Sequence, residues 1–264
     1  MFRVRPARRE DHPEFVRFQR QVGTDQPPFE IDWWDEHYRA HTFFLETEGG
    51  EAVAYALTVP LGTRGDVRQI AVDHAWRGRG VGKHVMTEVA RRFREAGCRD
   101  WHLEVRADNA PAIALYRRMG MAVLHEIQVL RIMRADAERF AATRSGSLRV
   151  ELVDASMDHA FEQRFDLGAG QLARWRTARP SAVMWHIGGV ALTHYMPGFL
   201  PNCGLLFPFR APDADHAAHL VAAACDHGMP DRVETCAVER PVAEALLAAG
   251  ATAYDHQLEM GGPL

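Results

Sequence analysis

The chain has 264 residues, 47% of them hydrophobic and 25% charged, with a formal net charge of −4. Such a composition suits a globular protein of one large domain or two small ones, and it gives no reason to expect nucleic acid to be held through bulk charge. No apolar run approaches the ~20 residues of a membrane span, and the start, Met1-Phe2-Arg3-Val4-Arg5-Pro6, lacks the apolar core of a signal peptide.

Residues 2–7 read as a strand, and 10–22 as a helix with Phe15, Phe18 and Val22 on one side. Residues 23–28 are a loop rich in turn formers, and 31–40 a short helix with Trp33 and Trp34. Residues 42–48 and 52–60, joined by Gly49-Gly50, read as a hairpin. An apolar strand at 67–72 leads into a basic, glycine-spaced turn, Arg77-Gly78-Arg79-Gly80-Val81-Gly82-Lys83. The next helix carries Val85, Val89 and Phe93 on one stripe, and Gly97 suits a left-handed cap at its end. A strand at 101–106 is followed by Asp108-Asn109 and by a helix that opens at Pro111, carries Tyr116 and ends at Gly120. Residues 121–125 and 127–134 read as paired strands, 135–140 as a polar helix, and 141–147 as the linker of the chain.

The glycine turn carries the strongest chemical signal. Glycines let the backbone approach a ligand closely. The first N–H groups of a helix have no internal partner, and the helix dipole places roughly +0.5 charge among them. Phosphate binds such an end readily, and Arg77, Arg79 and Lys83 surround it. A nucleotide-triphosphate P-loop is excluded, because Arg77 stands at its first glycine and His84 at its hydroxyl position. The spacing Gly78-x-Gly80-x-Gly82 also departs from the dinucleotide fingerprint, and residues 73–76 intervene after the strand.

No metal site is expected. Cys98, Cys203, Cys225 and Cys236 lack metal-site spacing and read as reduced thiols. His102-x-Glu104 matches half of a zinc deaminase signature, but the Pro-Cys-x-x-Cys half is missing.

Arg-x-x-Gly-x-Gly, read as Arg77, Gly80 and Gly82, resembles the coenzyme A pyrophosphate loop of GNAT-type N-acetyltransferases. Ile70-Ala71-Val72-Asp73 is similar to that family's fourth strand, and the run from Asn109 to Tyr116 to its other signature. Leu103-Glu104-Val105-Arg106 resembles the fifth strand of bacterial N-terminal-alanine acetyltransferases of ribosomal proteins. The resemblance covers about the first half of the chain. It implies an α/β (α+β) fold with a mixed, mostly antiparallel central sheet flanked by helices. It also implies acetyl transfer from acetyl-coenzyme A to a primary amine by direct attack. On it, Arg77, Gly78, Arg79, Gly80, Val81, Gly82 and Lys83 hold the pyrophosphate. The backbone of Ile70, Ala71 and Val72 holds the pantetheine, and Asn109 its amide arm. Many relatives carry their base as an acid near the position where Gln69 stands; Gln69 cannot take a proton, so Glu104 is the expected base, directly or through water, and Tyr116 is the expected acid. Trp33, Trp34 and Tyr38 fall in the segment that lines the family's acceptor pocket. The expected partners are acetyl-coenzyme A and a small-molecule or peptide amine, without nucleic acid, membrane or metal. The expected form is a cytoplasmic monomer or homodimer.

The second half reads as a worn copy of the first. Asp158-His159 opens a helix as Asp11-His12 does, Gly188-Gly189 matches Gly49-Gly50, and 241–250 matches 111–120. The glycine turn is replaced by Arg210-Ala211-Pro212-Asp213-Ala214-Asp215, whose acids would repel a pyrophosphate. The expected domains are therefore a catalytic one at 1–140 and a degenerate one at 148–264. Two alternatives stand beside catalysis: an acyl-coenzyme A-binding regulator, and a non-catalytic interaction protein built on two such domains.

Overall fold

The computed structural model describes residues 2–22 and 27–264, so most of the loop expected at 23–28 lies outside the described residues. The chain forms two compact units. One runs to Val105 and adds Asn109–Val123 and Met260–Leu264; the other holds Arg106–Asp108 and Leu124–Glu259.

The first unit opens with β1 (Phe2–Pro6), α1 (His12–Val22) and α2 (Ile31–His37), then β2 (Thr42–Thr47), β3 (Ala52–Leu61) and β4 (Arg64–Val72). It continues with α3 (Val81–Glu95), β5 (Asp100–Arg106) and α4 (Ala110–Arg118). The strands lie in the order β1-β2-β3-β4-β5. The first three pairings are antiparallel and the last is parallel. β3 is central and buried at nearly every position, which explains its unbroken apolar sequence. Phe15 and Phe18 of α1 are fully buried in one cluster with Trp34, Phe44 and Tyr55. Each such aromatic contributes about 1.5–3 kcal/mol of burial energy, so this cluster fixes α1 and α2 on the sheet. Val85, Met86, Val89 and Phe93 of α3 are also buried. A Cβ on Gly65 would lie 2.5 Å from the Phe93 ring, so that strand position has to be glycine.

The helix caps follow the sequence closely. Gly97 has φ +83°. The Cys98 N–H bonds the Phe93 carbonyl and the Gly97 N–H bonds that of Arg94, the paired arrangement that ends a helix on a left-handed glycine.

The second unit runs β6 (Ala122–Met133), α5 (Arg134–Ala142), β7 (Val150–Leu152), α6 (Asp158–Arg164), α7 (Gln171–Ala178) and β8 (Val183–Ile187). It goes on with β9 (Ala191–Leu200), β10 (Cys203–Arg210), α8 (Ala214–Asp226), β11 (Arg232–Ala237), α9 (Arg240–Ala248) and the part of β12 (Thr252–Pro263) that precedes Met260. Its strands lie in the order β6-β11-β10-β9-β8-β7. Only the β10–β11 pairing is parallel, at the place that β4–β5 holds in the first unit.

Three expectations are altered. Ala122–Met133 form the single strand β6 in place of the two paired strands expected at 121–125 and 127–134, because His125-Glu126-Ile127 contains no turn former. α2 stops at His37, and a 3₁₀ turn, Arg39–His41, follows it. Helix α5 reaches Ala142, since Phe140 and Ala141 are buried in the second unit's core. The compact units also divide the chain differently from 1–140 and 148–264. Gln128 to Met133 pair with β11, which carries β6 and α5 into the second unit. Residues 260–264 belong to the first unit. There the Leu264 N–H bonds the Arg99 carbonyl at 2.9 Å, and Gly262 lies so close to Gly120 that a Cβ would come 2.5 Å from its carbonyl oxygen. Composition marked the linker, but packing sets the boundary.

Candidate active site

The site begins where two strands part. β4 and β5 are in register only from Arg64↔Asp100 to Val67↔Leu103. β4 then runs on to Val72 and β5 to Arg106. The register between β3 and β4 jumps at the same level, from Thr58↔Val67 to Leu57↔Gln69, leaving Arg68 as an extra residue. A bulge of this kind raises the local twist and re-aims the side chains after it. The stretch Ile70, Ala71 and Val72 therefore leaves β5 and keeps only β3 as a partner.

Beyond Val72 the chain makes a 3₁₀ turn, His74–Trp76, capped by Asp73, whose side chain accepts from the Ala75 N–H at 3.0 Å. That N–H and the Arg17 guanidinium hold the Asp73 carboxyl below its usual range. Arg77 is exposed, and its Nε donates to the Val72 carbonyl at 3.0 Å, bracing the turn on the end of β4. The Arg79 guanidinium lies over the Trp76 ring, 5.4 Å from its centroid. Gly78 (φ +73°) and Gly80 (φ +79°) are left-handed, with open space where a Cβ would stand. Gly80 caps α3. Gly82 serves packing instead. A Cβ there would meet Leu115 at 3.1 Å and Val72 at 4.0 Å, so the end of β4, the first turn of α3 and the middle of α4 converge on it.

The charge at this helix start runs against the ordinary preference. The first turn of α3 has no acid, whereas Asp and Glu are favoured at a helix N-terminus by about 0.3–1 kcal/mol each. Arg77, Arg79 and Lys83 stand there exposed. The helix gains nothing from these cations, but an anion bound over its first turn would.

The expected acid and base lie on the next two elements. Glu104 is exposed on β5, one position past the last residue in register with β4. Tyr116 is buried on α4, next to Leu115, and burial pushes its phenol up to about 12. Asn109 caps α4, its Oδ1 accepting from the Ala112 N–H at 3.3 Å, which leaves the amide N–H₂ for other partners. Of the aromatic residues expected near an acceptor, Trp34 is corrected. It is fully buried, stacked 5.0 Å from Phe15, and is a core residue. Trp33 and Tyr38 are half-buried and pack on Phe29.

Sequence reasoning missed the partner of Gln69. The Tyr55 hydroxyl, fully buried on β3, donates to Gln69 Oε1 at 2.7 Å. The signal was present in Arg68-Gln69, two successive polar residues that break the strand's alternation and so mark a bulge.

The corresponding place in the second unit is closed. Asp213 caps α8, its Oδ1 accepting from the His216 N–H at 2.9 Å. That hydrogen bond holds the Asp213 carboxyl below its usual range. Arg210 is paired with Glu239 at 3.0 Å. Asp215 accepts from the Ser145 N–H at 2.5 Å. Among the described residues no three metal-ligating side chains cluster, and no helix is long and apolar enough to cross a membrane.

Residues 5–121 match the acetyltransferase (GNAT) family. Relatives named for N-acetyl transfer stand beside this chain. It is 29% identical over 152 residues to an N-alpha-acetyltransferase of Sulfurisphaera tokodaii, covering 52% of this chain and 88% of that one. It is 34% identical over 77 residues to the [ribosomal protein bS18]-alanine N-acetyltransferase of Escherichia coli K12, covering 29% of this chain. That match spans only 52% of the Escherichia coli protein, about half its length. In fold the whole chain resembles a tandem GNAT protein from the clavulanic acid biosynthesis pathway, with a TM-score of 0.63 and 16% identity, covering 100% of this chain and 98% of that one. The fold is thus two GNAT-like units in tandem, each with a mixed, mostly antiparallel sheet flanked by helices.

Proposed function

We propose that the first unit moves the acetyl group of acetyl-coenzyme A to a primary amine by direct attack. The observation that carries this reading is the parting of β4 from β5 after Val67↔Leu103, with the acid-free, arginine-flanked start of α3 at the end of the parted strand. In this reading the turn from Arg77 to Lys83 receives the pyrophosphate through its N–H groups and cations. The backbone of Ile70, Ala71 and Val72 pairs with the pantetheine arm as an added strand would, and one of those N–H groups polarises the thioester carbonyl. Asn109 bonds the amide arm through its free N–H₂.

The amine nitrogen attacks the thioester carbon, and the carbon–sulfur bond breaks. A lysine-type amine has a pKa near 10.4 and is mostly charged at neutral pH. Glu104, directly or through a water, takes its proton. Tyr116 gives a proton to the departing thiolate, and its raised phenol is fully protonated at neutral pH and fit to donate. We further propose a cytoplasmic monomer or homodimer that binds no nucleic acid. The relatives named for N-alpha and alanine acetylation make a peptide α-amine the first acceptor to test. The test is thiol release from acetyl-coenzyme A over a panel of peptide, polyamine, sugar and drug amines. Release that depends on one amine class supports the reading. Binding of coenzyme A without release by any amine favours an acyl-coenzyme A-binding regulator, and absence of binding favours a non-catalytic interaction protein.

A further inference from the structure

We infer that Gln69 positions the acceptor, donating from its amide Nε2 to a carbonyl oxygen beside the acceptor amine, with Tyr55 fixing the direction of that amide. The inference rests on the acetyl-transfer reading above. Three observations carry it.

The first is the pairing itself. Tyr55 is fully buried, and its hydroxyl donates to Gln69 Oε1 at 2.7 Å. A phenol sealed from water needs an acceptor for its proton. Gln69 Oε1 supplies one, and this orients the amide: its oxygen points at Tyr55 and its N–H₂ away. The second is the placement of Gln69. It is half-buried, so part of the residue meets solvent where Tyr55 does not. It directly follows the extra residue Arg68, on the part of β4 that has left β5. No hydrogen bond to its Nε2 occurs among the described residues. The third is adjacency. Gln69 precedes Ile70, the first of the residues read as holding the thioester arm, so its side chain stands beside the reacting groups.

An amide N–H₂ cannot take a proton from the amine, and it attracts oxygen. An acceptor with a carbonyl on the carbon that bears the amine offers such an oxygen; a simple alkyl amine does not. A site built to hydrogen-bond one substrate group discriminates against an analogue that lacks it, because the donor is then left unpaired.

The experiment compares alanine amide with isopropylamine, which differ by the carboxamide, in the full chain. Gln69→Leu should raise the KM for alanine amide about tenfold. It should lower the preference for alanine amide over isopropylamine by the same factor. The Kd for acetyl-coenzyme A should stay within about twofold. Tyr55→Phe should act in the same direction with a smaller change, and should add nothing in the Gln69→Leu background. If Gln69→Leu folds poorly, Gln69→Met keeps the length of the chain without the donor and carries the same expectation. A preference unchanged from wild type overturns the proposal, as does a Tyr55→Phe effect that multiplies in full with that of Gln69→Leu. A wild type that turns over amines but favours no carbonyl-bearing one overturns this proposal alone. A wild type that releases no thiol with any amine overturns the acetyl-transfer reading, and this proposal with it.

Discussion

Asp213 accepts the backbone N–H of His216 at 2.9 Å, so the second unit ties its own carboxylate to the start of α8, where the first unit's α3 has the bare Gly80. One helix start is already satisfied by an anion of the chain, and the other is open. Isothermal calorimetry with coenzyme A should therefore give one site per chain. A stoichiometry of two would show that Asp213 yields to the pyrophosphate.

Gly80→Asp should abolish acetyl-coenzyme A binding. At φ +79° an L side chain is strained, by about 1–2 kcal/mol, and the new carboxylate would enter the space over the first turn of α3. Loss of binding in a variant that still folds, with its unfolding temperature lowered by only several degrees, is the expected result. Unchanged affinity would sink the assignment of this turn.

Tyr116→Phe should lower turnover about 10²-fold, within the range for a positioned acid, and leave acetyl-coenzyme A affinity near wild type. Its phenol, pushed up to about 12 by burial, donates only while protonated and would be lost only as pH rises through that value. The fold loss should thus be the same at pH 7 and pH 9. Near wild-type turnover, with chemistry shown to be rate-limiting, would make Tyr116 a packing residue.

His194 should make the protein sensitive to acid. It is buried on β9, 5.5 Å from the Trp175 ring, with neither ring nitrogen hydrogen-bonded. Burial, with Arg176 and Arg179 nearby, lowers it from the ordinary 6.5 to about 4. Above pH 6.5 the residue is neutral folded or unfolded and costs nothing. As pH falls from 6.5 towards 4, only the unfolded chain takes the proton, so stability drops by up to about 3 kcal/mol. Urea unfolding at pH 7.5 and pH 5 should show a smaller loss for His194→Leu than for wild type, by roughly 2 kcal/mol. Equal losses would mean that the folded protein charges this ring freely.

Gly262→Ala should destabilise the first unit by about 1–3 kcal/mol, as overpacking does, because its Cβ would fall 2.5 Å from the Gly120 carbonyl oxygen. Gly198→Ala, at a position with nothing within 4 Å, is the control and should be near neutral. Thermal unfolding of the two variants decides it. Equal melting temperatures would mean that the contact relaxes without cost.

Much of this site is legible in the sequence, because its signals are local. Gly97 declares its left-handed backbone and Pro111 a helix start. The unread parts depend on partners far along the chain. Tyr55 and Gln69 meet only because β3 and β4 pair across a bulge. Trp34 is a core residue because Phe15 and His12 arrive to cover it, and helical spacing alone cannot tell a core tryptophan from a pocket one. The unit boundary escaped for the same reason. Gly262 sits against Gly120, which no pattern within either segment announces.

That last contact bears on how the protein is made. Residues 260–264 are translated after the entire second unit. A growing chain therefore holds the glycine turn, the parted strands and Tyr116 long before it holds the segment that completes their packing. The first unit's packing is complete only once residues 260–264 have joined it. The Gly120 edge stays uncovered until synthesis has passed through the second unit. The order of synthesis thus puts the whole second unit ahead of the last contact of the first.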